Sequence, residues 1–287
     1  MAVITPQEAE KLSPLFKGKA GRVLYHIATR VTGIERVNRM HTRVEDTGVT
    51  GPGFAAGILN DPDVQIDYAI GHAERLETLP EGGFITISNH LYGHLDGIIL
   101  VDMLGHIRPR MKVMVNELLM WMKGINTSFI AVNPTGSERT SATARSVSGV
   151  REALGQLRDG EPLSLFPSGA VSDCIPKEHW TIRDREWQDA AIRLIQKAKV
   201  PVVPIRFFDR NSDFYYALGL VDYRIRLVRL FHEVFNKKGT HPRLGIGETI
   251  PAEEIARYTD LQELKAFLRG SIYQMPEPEQ YTLHSAL

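Results

Sequence analysis

Between residues 83 and 246, short apolar runs recur along the chain, separated by longer segments whose apolar positions repeat every three or four residues. The short runs read as strands at Gly83–Ile87, Met111–Val115, Ser128–Val132, Leu163–Phe166, Val202–Phe207 and Pro242–Ile246. The longer spacing predicts helices over Asp96–Leu104, Glu117–Lys123, Ser141–Leu157 and Asp184–Ala198, with a last one at Leu261–Gln274. Clearest is Ser141–Leu157, where Val147, Val150, Leu154 and Leu157 form one stripe. Strands alternating with helices predict an α/β fold with a mostly parallel central sheet flanked by helices, and ligand sites in such sheets open at strand C-termini.

Upstream, Phe16, Ala20, Val23, Leu24, Ile27, Val31 and Ile34 recur at helical spacing, while Lys17, Lys19, Arg22 and Arg30 fall largely off that stripe. This predicts a basic amphipathic helix over about Pro14–Val37, lying either among acidic lipid head groups or on the protein's own core. The Gly-, Pro- and Asp-containing stretch Thr47–Val64 reads as a connector. The expected organisation is an N-terminal amphipathic helical segment with its linker, residues 1–60, followed by one large domain, residues 61–287.

Charge changes the picture by exclusion. The 34 Lys and Arg residues balance 34 Asp and Glu, so the chain lacks the global basic field of a nucleic-acid binder. A single cysteine, Cys174, leaves no intrachain disulfide and fits a reducing compartment. The opening MAVITPQEAEKL is polar and acidic where a signal peptide has an apolar core. No run approaches the roughly 18 apolar residues of a membrane span. The expected setting is cytoplasmic, with any membrane contact made from the surface.

Candidate chemistry concentrates in Ser88-Asn89-His90-Leu91-Tyr92-Gly93-His94-Leu95-Asp96-Gly97, where a predicted strand gives way to a predicted helix. A histidine at such a corner can accept a proton, and a nearby aspartate can fix its tautomer and stabilise the imidazolium. His94 is the rival base, although it stands beside Gly93 and only two positions before Asp96. His90, His94 and Asp96 also form a His-x3-His-x-Asp cluster with ligand types suited to a metal-dependent hydrolase. That reading lacks the glutamate of His-Glu-x-x-His, and His179, His232 and His241 are unanchored as further ligands. A second segment, Pro162–Ser172, runs from a strand into Pro167-Ser168-Gly169, whose glycine allows a positive φ and whose amides can face a developing oxyanion. The chain has no Gly-x-Ser-x-Gly elbow and no nucleotide-binding glycine loop.

Together these segments resemble the glycerolipid and lysophospholipid acyltransferase family. Asn89-His90…Asp96 is similar to its first block, Phe166-Pro167-Ser168-Gly169-Ala170-Val171-Ser172 to its third, and Val200-Pro201-Val202-Val203-Pro204 to its fourth. Gly245-Ile246-Gly247-Glu248-Thr249-Ile250-Pro251 resembles its last strand and turn, so the likeness covers about residues 80–275. Three positions depart from the pattern. Five residues rather than four separate His90 from Asp96, Ser168 stands where the family has glutamate, and Val132 leads to Asn133-Pro134 where an arginine is usual. The form Asn-His-x-x-Gly-x-x-Asp-Gly resembles a hemolysin-like branch of bacterial acyltransferases of amino-acid-containing lipids, and the other two departures bring a phosphoglycerol acceptor into question.

The resemblance implies a glycerol-phosphate acyltransferase-like fold with His90 and Asp96 as the catalytic pair. Substrate contacts are expected from Asn89, Gly93, Phe166, Pro167, Ser168, Gly169 and Ser172, with Arg139 or Arg145 in the place of the usual second-block arginine. It further implies no metal and no bound cofactor, an acyl-CoA or acyl-ACP thioester as co-substrate, and acyl carrier protein as a protein partner. The acceptor is expected to be a lipid at the membrane surface, reached by an enzyme peripheral on the inner face of the cytoplasmic membrane. A non-catalytic lipid-binding protein that kept the fold is the alternative from another class.

Overall fold

The apolar runs assemble into one sheet. The computed structural model describes residues 17–19, 21, 23, 33–132, 144–221 and 223–287. Its strands are β1 (Ala69–Gly71), β2 (Ile85–Ser88), β3 (Lys112–Asn116), β4 (Phe129–Val132), β5 (Leu163–Leu165), β6 (Asp173–Ile175), β7 (Thr181–Arg183), β8 (Val202–Phe207), β9 (Arg243–Ile246) and β10 (Tyr281–Leu283). Eight of them form a sheet in the order β10-β1-β9-β8-β2-β5-β3-β4, and β6 pairs with β7 in a separate antiparallel hairpin. From β8 to β4 every neighbour is parallel, whereas β9 runs antiparallel to β8.

Side-chain alternation explains the layers, because successive residues of a strand face opposite sides. In β8, Val203, Ile205 and Phe207 face one core and Val202 the other. The first core is covered by helices α1 (Ile34–Glu45), α2 (Pro52–Asn60) and α3 (His94–Ile107). The second lies under α4 (Ala144–Arg158), α5 (Asp189–Ala198) and, after the short α8 (Ala252–Ile255), α9 (Leu261–Tyr273). Between α5 and α8 in the chain, α6 (Asp213–Val221) and α7 (Tyr223–Asn236) enclose a smaller cluster of Val171, Tyr215, Tyr216 and Leu230. The result is the expected α/β architecture with a mostly parallel central sheet.

Register places the chemistry. Ile85 pairs with Leu163 and Ile87 with Leu165, so the two strands end at the same level. The buried Thr86 hydroxyl donates to Ser164 Oγ across the pair at 2.7 Å. Whatever follows β2 therefore emerges beside whatever follows β5.

Several elements differ from the sequence expectation. The stretch read as a connector, Thr47–Val64, contains α2: Pro52 stands in its first turn, where a missing N–H costs nothing, and Phe54, Ala55, Ile58 and Leu59 fill the first core. Most of the predicted Pro14–Val37 helix lies outside the described residues, and its end is corrected because Gly33, at φ 80, caps α1 instead of continuing a helix through it. Glu117–Lys123 is a 3-10 segment over Glu117–Trp121, and the helix expected from Asp184 begins at Asp189. The stripe on α4 is rotated: Val147 is half exposed, while Ala153 and Leu157 are buried. β1, β10, α6 and α7 were not expected from the pattern.

Phe54 tests whether the Thr47–Val64 stretch belongs to the core. It is fully buried beside the ring of His41. Phe54→Ala is expected to lower stability by about 3–5 kcal/mol in denaturant unfolding, whereas a loss below about 1 kcal/mol would mean that α2 is not packed as described.

Candidate active site

The chain leaves β2 and makes its turn through His90–Gly93 before entering α3. Gly93 has φ 79 and ψ −110, and a Cβ there would come within 2.8 Å of Leu230 Cδ2. Only glycine fits this corner. Asp96, three residues on, lies in the first turn of α3 with its carboxyl fully buried. Its Oδ2 accepts the backbone N–H groups of Tyr92 at 2.9 Å and Gly93 at 3.0 Å, and it lies 2.9 Å from His90 Nδ1. Burial pushes the Asp96 carboxyl up, while His90 and the two amides pull it down. A carboxylate accepting three N–H donors fixes the hydrogen on His90 Nδ1 and leaves Nε2 as the acceptor.

The ring of His90 stacks on Phe166, the first residue after β5, with centroids 4.1 Å apart. Thus the two sequence blocks meet, as their register requires. His94 has a different ring partner: its ring lies 4.8 Å from that of Phe231. Burial, with a smaller contribution from His90, lowers its pKa to about 4. His90, His94 and Asp96 do not converge into a metal-holding group, nor does any trio of His, Cys, Asp and Glu among the described residues.

The third block forms a tight turn in which Gly169 N–H donates to Phe166 O at 2.9 Å. Pro167 occupies the second position, which its fixed φ favours, and Gly169, at φ 64, comes so close to Gln188 that a Cβ would lie 2.0 Å from Nε2. The Gly169 amide is therefore committed to the turn, whereas Ser168 N–H makes no hydrogen bond to any described residue. The buried Ser168 hydroxyl donates to Ala170 O at 2.8 Å.

Two residues expected at the substrate are occupied elsewhere. The buried Asn89 amide donates to Phe207 O at 2.9 Å and accepts Phe207 N–H at 2.8 Å, tying the start of the loop to β8. Ser172 is fully buried; its hydroxyl donates to Asp184 Oδ1 at 2.6 Å and its N–H to His90 O at 2.8 Å. Arg139 lies outside the described residues. Arg145 is in the first turn of α4, with its side chain also outside them.

Sequence reasoning missed the residue that joins the blocks. Asp184 is buried, and its Oδ1 accepts both His90 N–H, at 3.0 Å, and the Ser172 hydroxyl, while Oδ2 accepts Trp187 Nε1–H at 3.0 Å. Its surroundings in sequence, Arg183-Asp184-Arg185-Glu186, resemble a solvated charge run and carry no signal of burial. Arg226 was also missed. From α7 it reaches the carbonyls of Ser172 and Val171 at 3.1 and 3.3 Å and pairs with Asp173, although only 2% of its side chain is exposed. Asn211 Nδ2 donates to Leu91 O at 3.1 Å, bracing the loop from the other side.

This site lies at the C-terminal ends of two central parallel strands, where α/β sheets present their ligand-binding surface. It contains a histidine with one free ring nitrogen, oriented by a buried carboxylate. The profile of the acyltransferase family matches residues 63–278, which include every part of it. The chain is 31% identical over 278 residues to the lyso-glycine lipid O-acyltransferase of Phocaeicola vulgatus, covering 92% of this chain and 94% of that protein. It is 30% identical over 209 residues to the enzyme of the same name from Bacteroides thetaiotaomicron, covering 70% of this chain and 73% of that one. With its His–Asp pair set between these matched strands, the chain belongs to the acyltransferase family.

Proposed function

We propose that this acyltransferase moves a fatty acyl group from an acyl-CoA or acyl-ACP thioester to the hydroxyl of a lyso-lipid built on an amino acid. The observation that carries the reading is the buried Asp96 carboxylate, whose three donors leave His90 Nε2 as a proton acceptor beside Phe166. The curated relatives act on lyso-glycine lipid, which supports an amino-acid lipid acceptor here. No helix among the described residues is long and apolar enough to cross a membrane, which is compatible with a peripheral enzyme on the inner face of the cytoplasmic membrane.

In the proposed step His90 Nε2 takes the acceptor's hydroxyl proton as that oxygen attacks the thioester carbonyl. Asp96 stabilises the imidazolium, and the tetrahedral intermediate collapses by breaking the C–S bond. The proton held by His90 then goes to the departing thiolate, giving an ester and a free thiol with no acyl-enzyme. With Gly169 N–H spent on Phe166, Ser168 N–H is the turn's remaining candidate donor for the oxyanion. Phe166 contributes an apolar wall that holds the imidazole in place. Asn89, Ser172 and Asp184 act through the backbone that they clamp rather than at the substrate.

His90→Ala is expected to lower kcat by about 10²–10⁴-fold and Asp96→Asn by at least ~10²-fold, with the fold intact by circular dichroism. Wild-type turnover in folded His90→Ala would remove His90 from the chemistry. Asp184→Asn keeps the volume but offers Ser172 and His90 a neutral acceptor. It should reduce kcat more than KM, and a change in KM alone would contradict a positioning role. His94 has its own signature in the pH dependence of stability. Because its folded pKa of about 4 lies below the ordinary 6.5, the unfolded chain binds the proton first and stability falls as pH drops from 6.5 towards 4. His94→Asn should flatten that slope in Tm measurements while the acid limb of the rate profile stays where it was; an unchanged slope would show that His94 is not held neutral.

A further inference from the structure

In the turn from His90 to Gly93 the backbone groups are buried, and each needs a partner. On the amide side, His90 N–H goes to Asp184, while the N–H groups of Tyr92 and Gly93 converge on Asp96 Oδ2. On the carbonyl side, His90 O accepts Ser172 N–H. The next two carbonyls share one side chain: Asn211 Nδ2 donates to Leu91 O at 3.1 Å and, more weakly, to Tyr92 O at 3.4 Å. The Tyr216 hydroxyl adds a second donor to Leu91 O at 3.3 Å. Leu91 O and Tyr92 N–H are the two ends of one peptide unit, and Tyr92 O and Gly93 N–H are the ends of the next. Asn211 therefore grips, from the oxygen side, the same two peptide planes that hold Asp96 from the nitrogen side. Asn89 and Asp184 bind the loop at its start and touch neither carbonyl.

A peptide unit is planar, so fixing its carbonyl fixes the direction of its N–H. A donor on the oxygen also polarises the unit and strengthens the hydrogen bond that its N–H makes. Asn211 is itself buried and firmly held. It precedes Ser212, whose Oγ accepts Tyr215 N–H in the first turn of α6 at 3.2 Å. Glu233, buried on α7, fixes Ser212 twice: Oε2 accepts its N–H at 2.9 Å and Oε1 its hydroxyl at 2.8 Å. Asn236 Nδ2 donates to Oε1 at 3.1 Å, and Arg229 and Lys237 each stand 3.5 Å from the carboxylate. Burial pushes the Glu233 carboxyl up, but the Ser212 donors and the two cations outweigh it and leave it below the usual carboxylate range. This anchor stays charged at neutral pH. A continuous path thus runs from Glu233 through Ser212 and Asn211 to two peptide units, and from those to Asp96 and His90.

We infer that Asn211 is a positioning residue of the His90–Asp96 pair, holding the Leu91–Tyr92 and Tyr92–Gly93 peptides so that their N–H groups converge on Asp96 Oδ2. Its bearing on turnover rests on the proposed reading of His90 as the base; its hold on the pair is tested without substrate. The test follows the His90 ring of the full chain across pH by long-range proton–nitrogen NMR, with His90→Ala identifying the signal. It also reads kcat and KM for thiol release from palmitoyl-CoA with lyso-glycine lipid as acceptor. Asn211→Leu removes the donor at similar volume and Asn211→Ala removes it without new bulk, so one serves if the other does not fold. Without its oriented amides Asp96 is a stronger partner for an imidazolium, and the His90 titration should move to higher pH by roughly half a unit or more. The acid limb of the rate profile should move the same way, and kcat should fall about tenfold or more with KM changed less than about twofold. A side chain that only stabilises the fold would lower Tm and leave the His90 titration in place. A titration unmoved in the folded variants overturns the inference, whatever happens to Tm or kcat. A moved titration together with wild-type turnover in His90→Ala would instead defeat the proposed reaction and leave the hold of Asn211 on the pair standing.

Discussion

The parallel pairing of β2 with β5 is the constraint from which the rest of the site follows. Both strands are short and buried on both faces, so a slip of one residue would move their apolar side chains between the two cores. With Ile87 opposite Leu165, His90 follows the end of β2 at Ser88 by two residues and meets Phe166, and the ring contact follows from the register. Every later element reinforces that meeting. Asn89 ties the loop to β8 on the other side, and Asp184 ties it to the third block.

Those clamps have a common physical form. Asn89, Ser172 and Asp184 are polar groups buried in an apolar setting, where an unpaired donor or acceptor costs about 1–3 kcal/mol. Each is satisfied by backbone or side chains of a different segment, so moving one segment exposes several groups at once. Asp96 differs from them: three N–H groups converge on its Oδ2, while its buried Oδ1 has no hydrogen-bond partner among the described residues. The five-residue spacing between His90 and Asp96 is absorbed at Gly93, whose positive φ lets the chain turn before α3 begins and returns Asp96 to face the ring.

The surface around α6 extends the same economy outward. Tyr215 and Tyr216 anchor the helix on the loop side, leaving its other face for solvent or a partner. Arg226, buried beneath, holds the carbonyls of Val171 and Ser172 and so couples α7 to the third block. The loops at the strand ends and the helices that follow them share one small apolar cluster.

How far the sequence reached differs between elements, and the reasons are physical. Alternation with a period of two, interrupted by helical spacing, is a local property of the chain. It was enough for β2, β3, β4, β5, β8 and β9 and for the α/β class. The meeting of His90 with Asp96 and with the Phe166–Ser172 turn was legible because both segments follow predicted strands. By contrast, α2 was hidden by its glycines and proline, which mark a turn unless a core is present to receive Phe54 and Ile58. Asn89 and Ser172 look polar and available in sequence; only packing decides that Phe207 and Asp184 take their hydrogen bonds. Asp184 and Arg226 sit in charged stretches indistinguishable from solvated surface until segments some ninety and fifty residues away close over them. The sequence by itself determined the chemistry that could occur here, since that resides in side chains. Tertiary structure alone decided which polar groups hold the loop, because burial and partnership arise only when distant segments meet.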